Sequence, residues 1–92
     1  MKFILGEDRY VRYRVTSTSG SPFVIASAAW ELQYDGETEA SGSCEIETTS
    51  ESTEHYLRIR LAPQKRSIFY LLELTLSISD ETIKMQERVE VV

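Results

Sequence analysis

Apolar and polar residues alternate with a period of two along most of the chain. Near the N-terminus, Val11, Tyr13 and Val15 are separated by polar or charged residues. Successive side chains of a strand point to opposite faces of a sheet, so this alternation predicts a β-strand with one buried face. Gly20 and Pro22 follow within a run of Ser and Thr and predict the loop that ends this strand.

The segment that follows the loop fits two interpretations. A helix would align one apolar stripe, formed by Val24, Ile25, Ala28 and Leu32, and alanine favours helices slightly. A strand would place on one face Ala26, Ala28, Trp30, Leu32 and Tyr34. From Ser27 onward the strand separates polar from apolar positions better, so we favour the strand.

A hairpin is predicted next, because Asp35-Gly36 has the chemistry of a turn. A three-residue loop at 35 to 37 sets which residues lie opposite each other. The predicted pairs are Tyr34 with Thr38, Leu32 with Ala40, Trp30 with Gly42 and Ala28 with Cys44. Large side chains then face small ones, and the indole of Trp30 has room over Gly42.

The next strand has Leu57, Ile59 and Leu61 on its inward face. A turn at about Thr49 to His55 would precede it. This turn would place Glu45 opposite Arg60 and Glu47 opposite Arg58, as exposed pairs that help to select the register. Residues 62 to 66 contain Pro and charged residues and predict a loop.

Two further strands complete the pattern. Residues 68 to 79 are the most apolar segment, and their alternation favours a long strand over a helix. A short turn at Asp80-Glu81 leads to a last strand, whose inward residues include Ile83 and Met85. Glu87 also falls on the inward side, which indicates a bulge or a sheet edge there.

The expected fold is all-β: an antiparallel β-sandwich of six or seven strands, with an immunoglobulin-like or fibronectin type III-like topology. Residues 1 to 92 form a single domain, in which residues 1 to 9 are an N-terminal arm or an extra strand. The predicted core contains Val11, Tyr13, Val15, Ala28, Trp30, Leu32, Cys44, Ile46, Leu57, Ile59, Leu61, Leu72, Leu74, Leu76, Ile83, Met85, Val89 and Val91.

Charge and composition narrow the classes of function. The net charge is −5, and no Lys or Arg occurs between Arg14 and Arg58. This distribution argues against a nucleic-acid binder with a broad basic face. No apolar stretch approaches the roughly 20 residues of a membrane span, and the N-terminus does not develop into a signal peptide. We therefore expect no membrane partner and a cytoplasmic location.

The chemistry of an enzyme is incomplete in this chain. His55 is the only histidine, and its neighbours predict a solvated turn residue. Cys44 is the only cysteine, so it forms no internal disulfide and lacks the partners of a structural zinc site. We expect Cys44 to be buried and unreactive. The sequence predicts no catalytic residue, no cofactor and no metal site.

Two parts of the chain carry a resemblance to known domains. The first is the order Tyr-x-Arg-Tyr-x-Val-Thr at residues 10 to 16, then Gly20-Ser21-Pro22, then Ile25-Ala26-Ser27-Ala28. The second is the long strand at 68 to 79 with its charged turn and the closing strand at 88 to 92. Over residues 10 to 92 the chain resembles immunoglobulin-like modules of tailed-phage and prophage structural proteins, such as baseplate and neck-associated domains. The resemblance implies a virion or prophage assembly component without catalytic residues, which is cytoplasmic during assembly and then part of the virion.

The predicted function is therefore that of a non-enzymatic assembly module that binds other virion proteins or copies of itself. The candidate interface residues are Phe3, Ile4, Leu5, Arg12, Arg14, Phe69 and Leu71. In this interpretation, acidic hairpins around residues 37 to 54 of one copy would meet Arg9 and its neighbouring arginines on the next. In a second interpretation, the arm folds back as an extra strand and covers Phe69 and Leu71 within the same chain. The alternative function is a stand-alone fibronectin type III-like bacterial module that binds a protein or a carbohydrate.

Overall fold

The computed structural model describes residues 1–48 and 50–92. These residues form eight strands and no helix. The strands are β1 (Lys2–Phe3), β2 (Arg9–Thr16), β3 (Ile25–Tyr34), β4 (Glu37–Ser43), β5 (Glu45–Ile46), β6 (Glu54–Leu61), β7 (Ser67–Ile78) and β8 (Glu81–Val91). The all-β prediction is confirmed. The described strands exceed the predicted six or seven. The two additional short strands are β1, formed by the N-terminal arm, and β5, which is separated from β4 at Cys44.

Two sheets pack against each other. The large sheet has five strands in the order β1-β8-β7-β3-β4, and the small sheet has three in the order β2-β6-β5. Neighbouring strands are antiparallel except β1 and β8, which run parallel. The sandwich is thus antiparallel apart from the N-terminal arm, which enters the large sheet in the same direction as the last strand.

The segment that fitted both a helix and a strand is the strand β3. Its pairing with β7 is irregular between Ile25 and Ser27. The irregularity changes which side chains face inward, so Ile25 is buried while Ala26 is exposed. Beyond it, Ala28 and Leu32 are buried, as the alternation predicted.

The hairpin between β3 and β4 has the predicted register in its centre. Trp30 lies opposite Gly42, and Leu32 lies opposite Ala40. The predicted three-residue loop is wrong, since only Asp35 and Gly36 form the turn, with φ values of 49° and 84°. Such left-handed pairs give the tight hairpin turn that matches the twist of the strands. Tyr34 consequently opposes Glu37 instead of Thr38, and a bulge next to Leu32 restores the register.

The pairing of β5 with β6 differs from the predicted one. Glu45 lies opposite Arg58 and not Arg60. The cause is the length of β6, which begins at Glu54, where the sequence predicted a turn up to His55. The predicted start of that turn, Thr49, lies outside the described residues.

The core lies between the two sheets. Its buried apolar residues are Phe3, Ile25, Ala28, Leu32, Cys44, Leu57, Ile59, Leu61, Tyr70, Leu72, Leu74, Leu76, Val89 and Val91. The predicted core residues that are partly buried against this set are Val11, Tyr13, Val15, Trp30 and Ile46. Removal of this apolar surface from water is the main favourable contribution to folding.

Two predicted core residues lie outside the core. Ile83 and Met85 are 38% and 37% exposed, although they are on the inward side of β8. The small sheet has three strands against five, and it leaves this part of β8 uncovered. Glu87, on the same side, pairs regularly with Leu72, so it marks a sheet edge and not a bulge.

Candidate interaction surfaces

The outer face of the large sheet carries an apolar cluster that we call the outer patch: Ile68, Phe69 and Leu71. It forms where the pairing of β7 with β8 is irregular between Ser67 and Tyr70. The irregularity brings neighbouring apolar residues to the surface, and Ile68 and Phe69 are 61% and 64% exposed. Leu71 is partly buried. The sequence had placed Phe69 and Leu71 on this outward side.

Backbone contacts fix the outer patch on the sheet. The N–H of Asp35 donates to the carbonyl of Phe69 at 3.2 Å, which ties the β3–β4 turn to the patch. Leu71 lies between Gln33 of β3 and Arg88 of β8 in the sheet. The patch is thus a shallow apolar surface with polar neighbours on both sides.

The N-terminal arm does not belong to this patch. Phe3 is completely buried, and the guanidinium carbon of Arg9 lies 4.0 Å from the centre of its ring. The prediction of Phe3 as an interface residue is therefore wrong, because its side chain fills the end of the core. Ile4 and Leu5 are 64% and 39% exposed. The arm forms an extra strand, but this strand pairs with β8 and leaves Phe69 uncovered.

Arg12 and Arg14 lie on the outer face of the small sheet. The Nε of Arg12 donates to Glu47 at 2.7 Å, and its guanidinium stacks on the ring of Tyr56 at 3.7 Å. Arg14 lies 3.4 Å from a carboxylate oxygen of Glu54. These acidic partners belong to the same chain, so both arginines form ion pairs without a neighbouring copy.

Two more ion pairs extend this charged surface. Arg58 donates to Glu45 at 2.7 Å, and Arg60 donates to both carboxylate oxygens of Asp8 at 2.7 and 2.9 Å. The hydrogen bond from Arg60 lowers the pKa of Asp8 below its ordinary value. Exposed pairs of this kind contribute little to stability. They show instead that three carboxylates of the acidic middle, Glu45, Glu47 and Glu54, pair with arginines of their own small sheet.

The seven predicted interface residues therefore do not form one surface. Phe69 and Leu71 lie on the large sheet, whereas Arg12 and Arg14 lie on the opposite face of the sandwich. One molecule cannot present both sets to the same flat partner.

His55 is a buried residue of the small sheet, so the prediction of a solvated turn residue is wrong. It is 0% exposed and lies on the inward side of β6, two residues before Leu57. Its Nδ1 is 3.0 Å from the carbonyl oxygen of Thr48, and its Nε2 is 2.7 Å from that of Phe23. The ring also packs on the phenyl of Phe23, with centroids 4.5 Å apart. His55 thus connects the β2–β3 loop to the segment after β5.

Two further titratable side chains are held inside the sandwich. Cys44 is 7% exposed, and its burial raises the pKa of the thiol to about 11. The hydroxyl of Tyr13 donates to Glu87 at 3.3 Å, and burial together with this carboxylate raises the pKa of Tyr13. The N-terminal amine of Met1 lies 3.6 Å from the same carboxylate.

Comparisons with protein-family models, with curated proteins and with solved structures gave no match. Within residues 1–48 and 50–92, no three His, Cys, Asp or Glu side chains are grouped so that they could hold a metal ion. The same residues contain no helix that is long and apolar enough to cross a membrane.

A groove that the sequence analysis missed lies between β2 and β8. We call it the edge groove, and its apolar walls are Val15, Phe23, Ile78, Ile83 and Met85. Hydroxyl side chains of the β2–β3 loop form its rim. The position of Glu87 on the inward side of β8 was the available signal for this groove, since an inward-pointing charge is typical of an uncovered sheet edge.

Proposed function

We propose that the protein is a non-enzymatic structural module of a phage or prophage assembly, which acts through protein–protein contacts. The observation that carries this proposal is the outer patch, because Ile68 and Phe69 are exposed side by side on the outer face of the large sheet. Clustered exposed apolar residues are typical of binding sites. The aromatic ring of Phe69 is of the kind that supplies binding energy at protein interfaces.

The order of the strands supports an immunoglobulin-like type of sandwich. In immunoglobulin folds, strands B, E and D are neighbours in one sheet, and strands G, F, C and C′ are neighbours in the other. The small sheet has the order β2-β6-β5, and the large sheet contains β8-β7-β3-β4. Each series has the chain order of the immunoglobulin strands when β2 is matched with B and β8 with G.

Two side chains support the same type. The hydroxyl of Tyr70, at the start of β7, accepts a hydrogen bond from the backbone N–H of Lys65 at 3.0 Å, five residues upstream. This contact resembles the tyrosine corner of immunoglobulin-like domains, which occurs at the start of strand F. Trp30 lies on β3, the strand that matches C, where these domains carry their core tryptophan.

The exposed surfaces favour a protein partner, because the described residues of the small sheet offer no open aromatic ring on which a carbohydrate could stack. Carbohydrate platforms need open aromatic faces, but the ring of Tyr10 lies under Arg58 at 4.5 Å, and the ring of Tyr56 lies under Arg12 at 3.7 Å. The outer patch remains as an open apolar surface. The contacts of these two rings count against the carbohydrate-binding form of the alternative, a fibronectin type III-like bacterial module.

Particle incorporation tests the proposed function. Induction of the prophage that encodes the chain should yield purified particles that contain it, as measured by mass spectrometry. The double variant Phe69→Ser, Leu71→Ser should be lost from the particles, whereas Thr75→Ser, on the same outer face, should be retained. Absence of the wild-type chain from particles, or neighbouring genes for cell-wall enzymes in place of tail or portal genes, would reject the virion function.

A further inference from the structure

We propose that the protein dimerises through β8, which pairs antiparallel with β8 of a second copy and joins the two large sheets. The starting observation is a free sheet edge. β1 pairs with β8 only at Glu90 and Val91. In the described parts of the chain, no other strand lies on this side of β8. The dimer goes beyond the proposed function and does not depend on a virion partner.

The neighbouring strand β1 shows which backbone groups of β8 face this edge. The N–H of Glu90 donates to the carbonyl of Met1, and the N–H of Val92 donates to that of Phe3, both at 2.9 Å. In an antiparallel strand, the N–H and C=O groups of alternate residues point to the same side. The groups toward the free edge are therefore those of even-numbered residues.

The free stretch has a definite length. The pairing of β8 with β7 is regular from Glu81 to Val89, so the alternation is unbroken there. The carbonyl of Arg88 accepts a hydrogen bond from the amine of Met1 at 3.2 Å and is therefore already occupied. The residues whose backbone groups remain for another strand are Thr82, Lys84 and Gln86.

An apolar surface lies directly beside this edge. Ile83 and Met85 are more than one third exposed and form one wall of the edge groove. A strand added to β8 would place its own inward side chains over Val15 and Phe23 on the opposite wall. An added strand would therefore pair the free backbone groups of β8 and bury the exposed apolar side chains beside them.

The charges of β8 favour a second copy as the added strand. With Met85 opposite Met85 of the second copy, Lys84 of each copy lies opposite Gln86 of the other, and Arg88, whose edge Met1 occupies, stays outside the paired stretch. No cation then faces a cation, and like charges directly opposite each other would be destabilising. A register shifted so that Lys84 faces itself loses this advantage.

The lysine at the edge does not stand in the way of pairing. Lysine often protects an edge strand by presenting a free charge. Here the Nζ of Lys84 lies 3.7 Å from Glu73, and Glu73 also accepts a hydrogen bond from Gln86 at 2.8 Å. The charge is thus turned toward the outer face of its own sheet.

Disulfide trapping tests the register. A Met85→Cys chain should form an inter-chain disulfide under mild oxidation, because residues opposite each other in a non-hydrogen-bonded pair are close enough for the bond. The control is Ser41→Cys, on the exposed β4 edge of the same sheet. We expect the Met85→Cys chain to cross-link at least about tenfold faster than the control and the wild-type chain. Equal rates would overturn the proposal.

Sedimentation tests the pairing itself. The wild-type chain should change from one-chain to two-chain mass as its concentration rises. Lys84→Pro removes an edge-facing N–H without removing a bond to β7 and should raise the dimer dissociation constant at least about tenfold. Lys84→Ala keeps the N–H and should dimerise like the wild type. Met85→Lys, which places a charge at the groove, is the second variant if Lys84→Pro does not fold.

The outcomes distinguish this dimer from the contacts of the outer patch. A wild-type chain that stays monomeric at all concentrations overturns the proposed dimer. A dimer that persists in both Lys84→Pro and Met85→Lys overturns it as well. The double variant Phe69→Ser, Leu71→Ser should leave the β8 dimer intact while it removes the chain from particles. Loss of self-association in that double variant alone would assign the contact to the outer patch and reject the β8 pairing.

Discussion

Replacing His55 with Phe removes the side chain that connects two loops of the small sheet. The imidazole is completely buried, with its nitrogens 3.0 Å from the carbonyl of Thr48 and 2.7 Å from that of Phe23. A phenyl ring has nearly the same shape but no donor. The substitution therefore removes both polar contacts and keeps an aromatic ring between the two loops, although the larger ring also presses on the two carbonyls.

The size of the effect follows from the carbonyls that lose a donor. The carbonyl of Phe23 keeps a second donor, the backbone N–H of Ser52 at 3.1 Å, so only the carbonyl of Thr48 can be left without a partner. Each buried group left without its partner costs about 1 to 3 kcal/mol. The more apolar ring of Phe offsets part of this cost. We expect His55→Phe to lower the free energy of unfolding by about 1 to 3 kcal/mol, out of the roughly 5 to 15 kcal/mol typical of a domain.

Urea denaturation followed by the fluorescence of Trp30, the only tryptophan, measures this loss. The matched control is Tyr56→Phe, on the adjacent residue, which removes a hydroxyl that bonds Glu54 on the outer face. That control should change the stability by less than about 1 kcal/mol. If His55→Phe unfolds within about 0.5 kcal/mol of the wild type, the imidazole does not hold the two loops, and the reasoning fails.

Three further predictions concern other parts of the core. Gly42→Ala places a Cβ 3.1 Å from the Nε1 of Trp30, so denaturation should show a loss of about 1 to 3 kcal/mol, whereas the adjacent Ser43→Ala should change little. Cys44 should react with a thiol reagent at neutral pH only as fast as the protein unfolds, since its pKa is raised to about 11, and rapid native labelling would contradict its burial. Tyr70, with its pKa raised from 10.0 to about 12, should stabilise the fold below pH 10 and lose that contribution as the pH rises toward 12; a Tyr70→Phe variant, followed by alkaline denaturation, should lack this step.

The alternation of side chains was sufficient to predict the strands and the centre of the β3–β4 hairpin. Trp30 needs a small residue opposite it, and Gly42 is the residue that the register supplies. The two-residue length of the turn was also predictable from Asp35-Gly36, because this pair readily adopts the two left-handed φ values, here 49° and 84°, that such a turn requires. One additional residue in a turn changes every pair near it.

The candidate surface was predicted less well, because alternation does not tell which sheet a strand joins. Arg12 and Phe69 both point outward, but β2 and β7 belong to different sheets, so the two residues face opposite directions. Pairing between distant segments decides which sheet a strand joins, and the local alternation of residues gives little information about that pairing. His55 was predictable in principle, since it shares the inward parity of Leu57.

The parallel pairing of β1 with β8 also has a consequence for the order of folding. Phe3 lies opposite Val91, and the amine of Met1 contacts a carbonyl 87 residues away. A ribosome must therefore complete almost this entire segment before Phe3 can enter the core. Contacts between such distant residues form slowly because a long loop must close first. Until then the arm remains outside, and the end of the core that Phe3 fills stays open to water or to a chaperone.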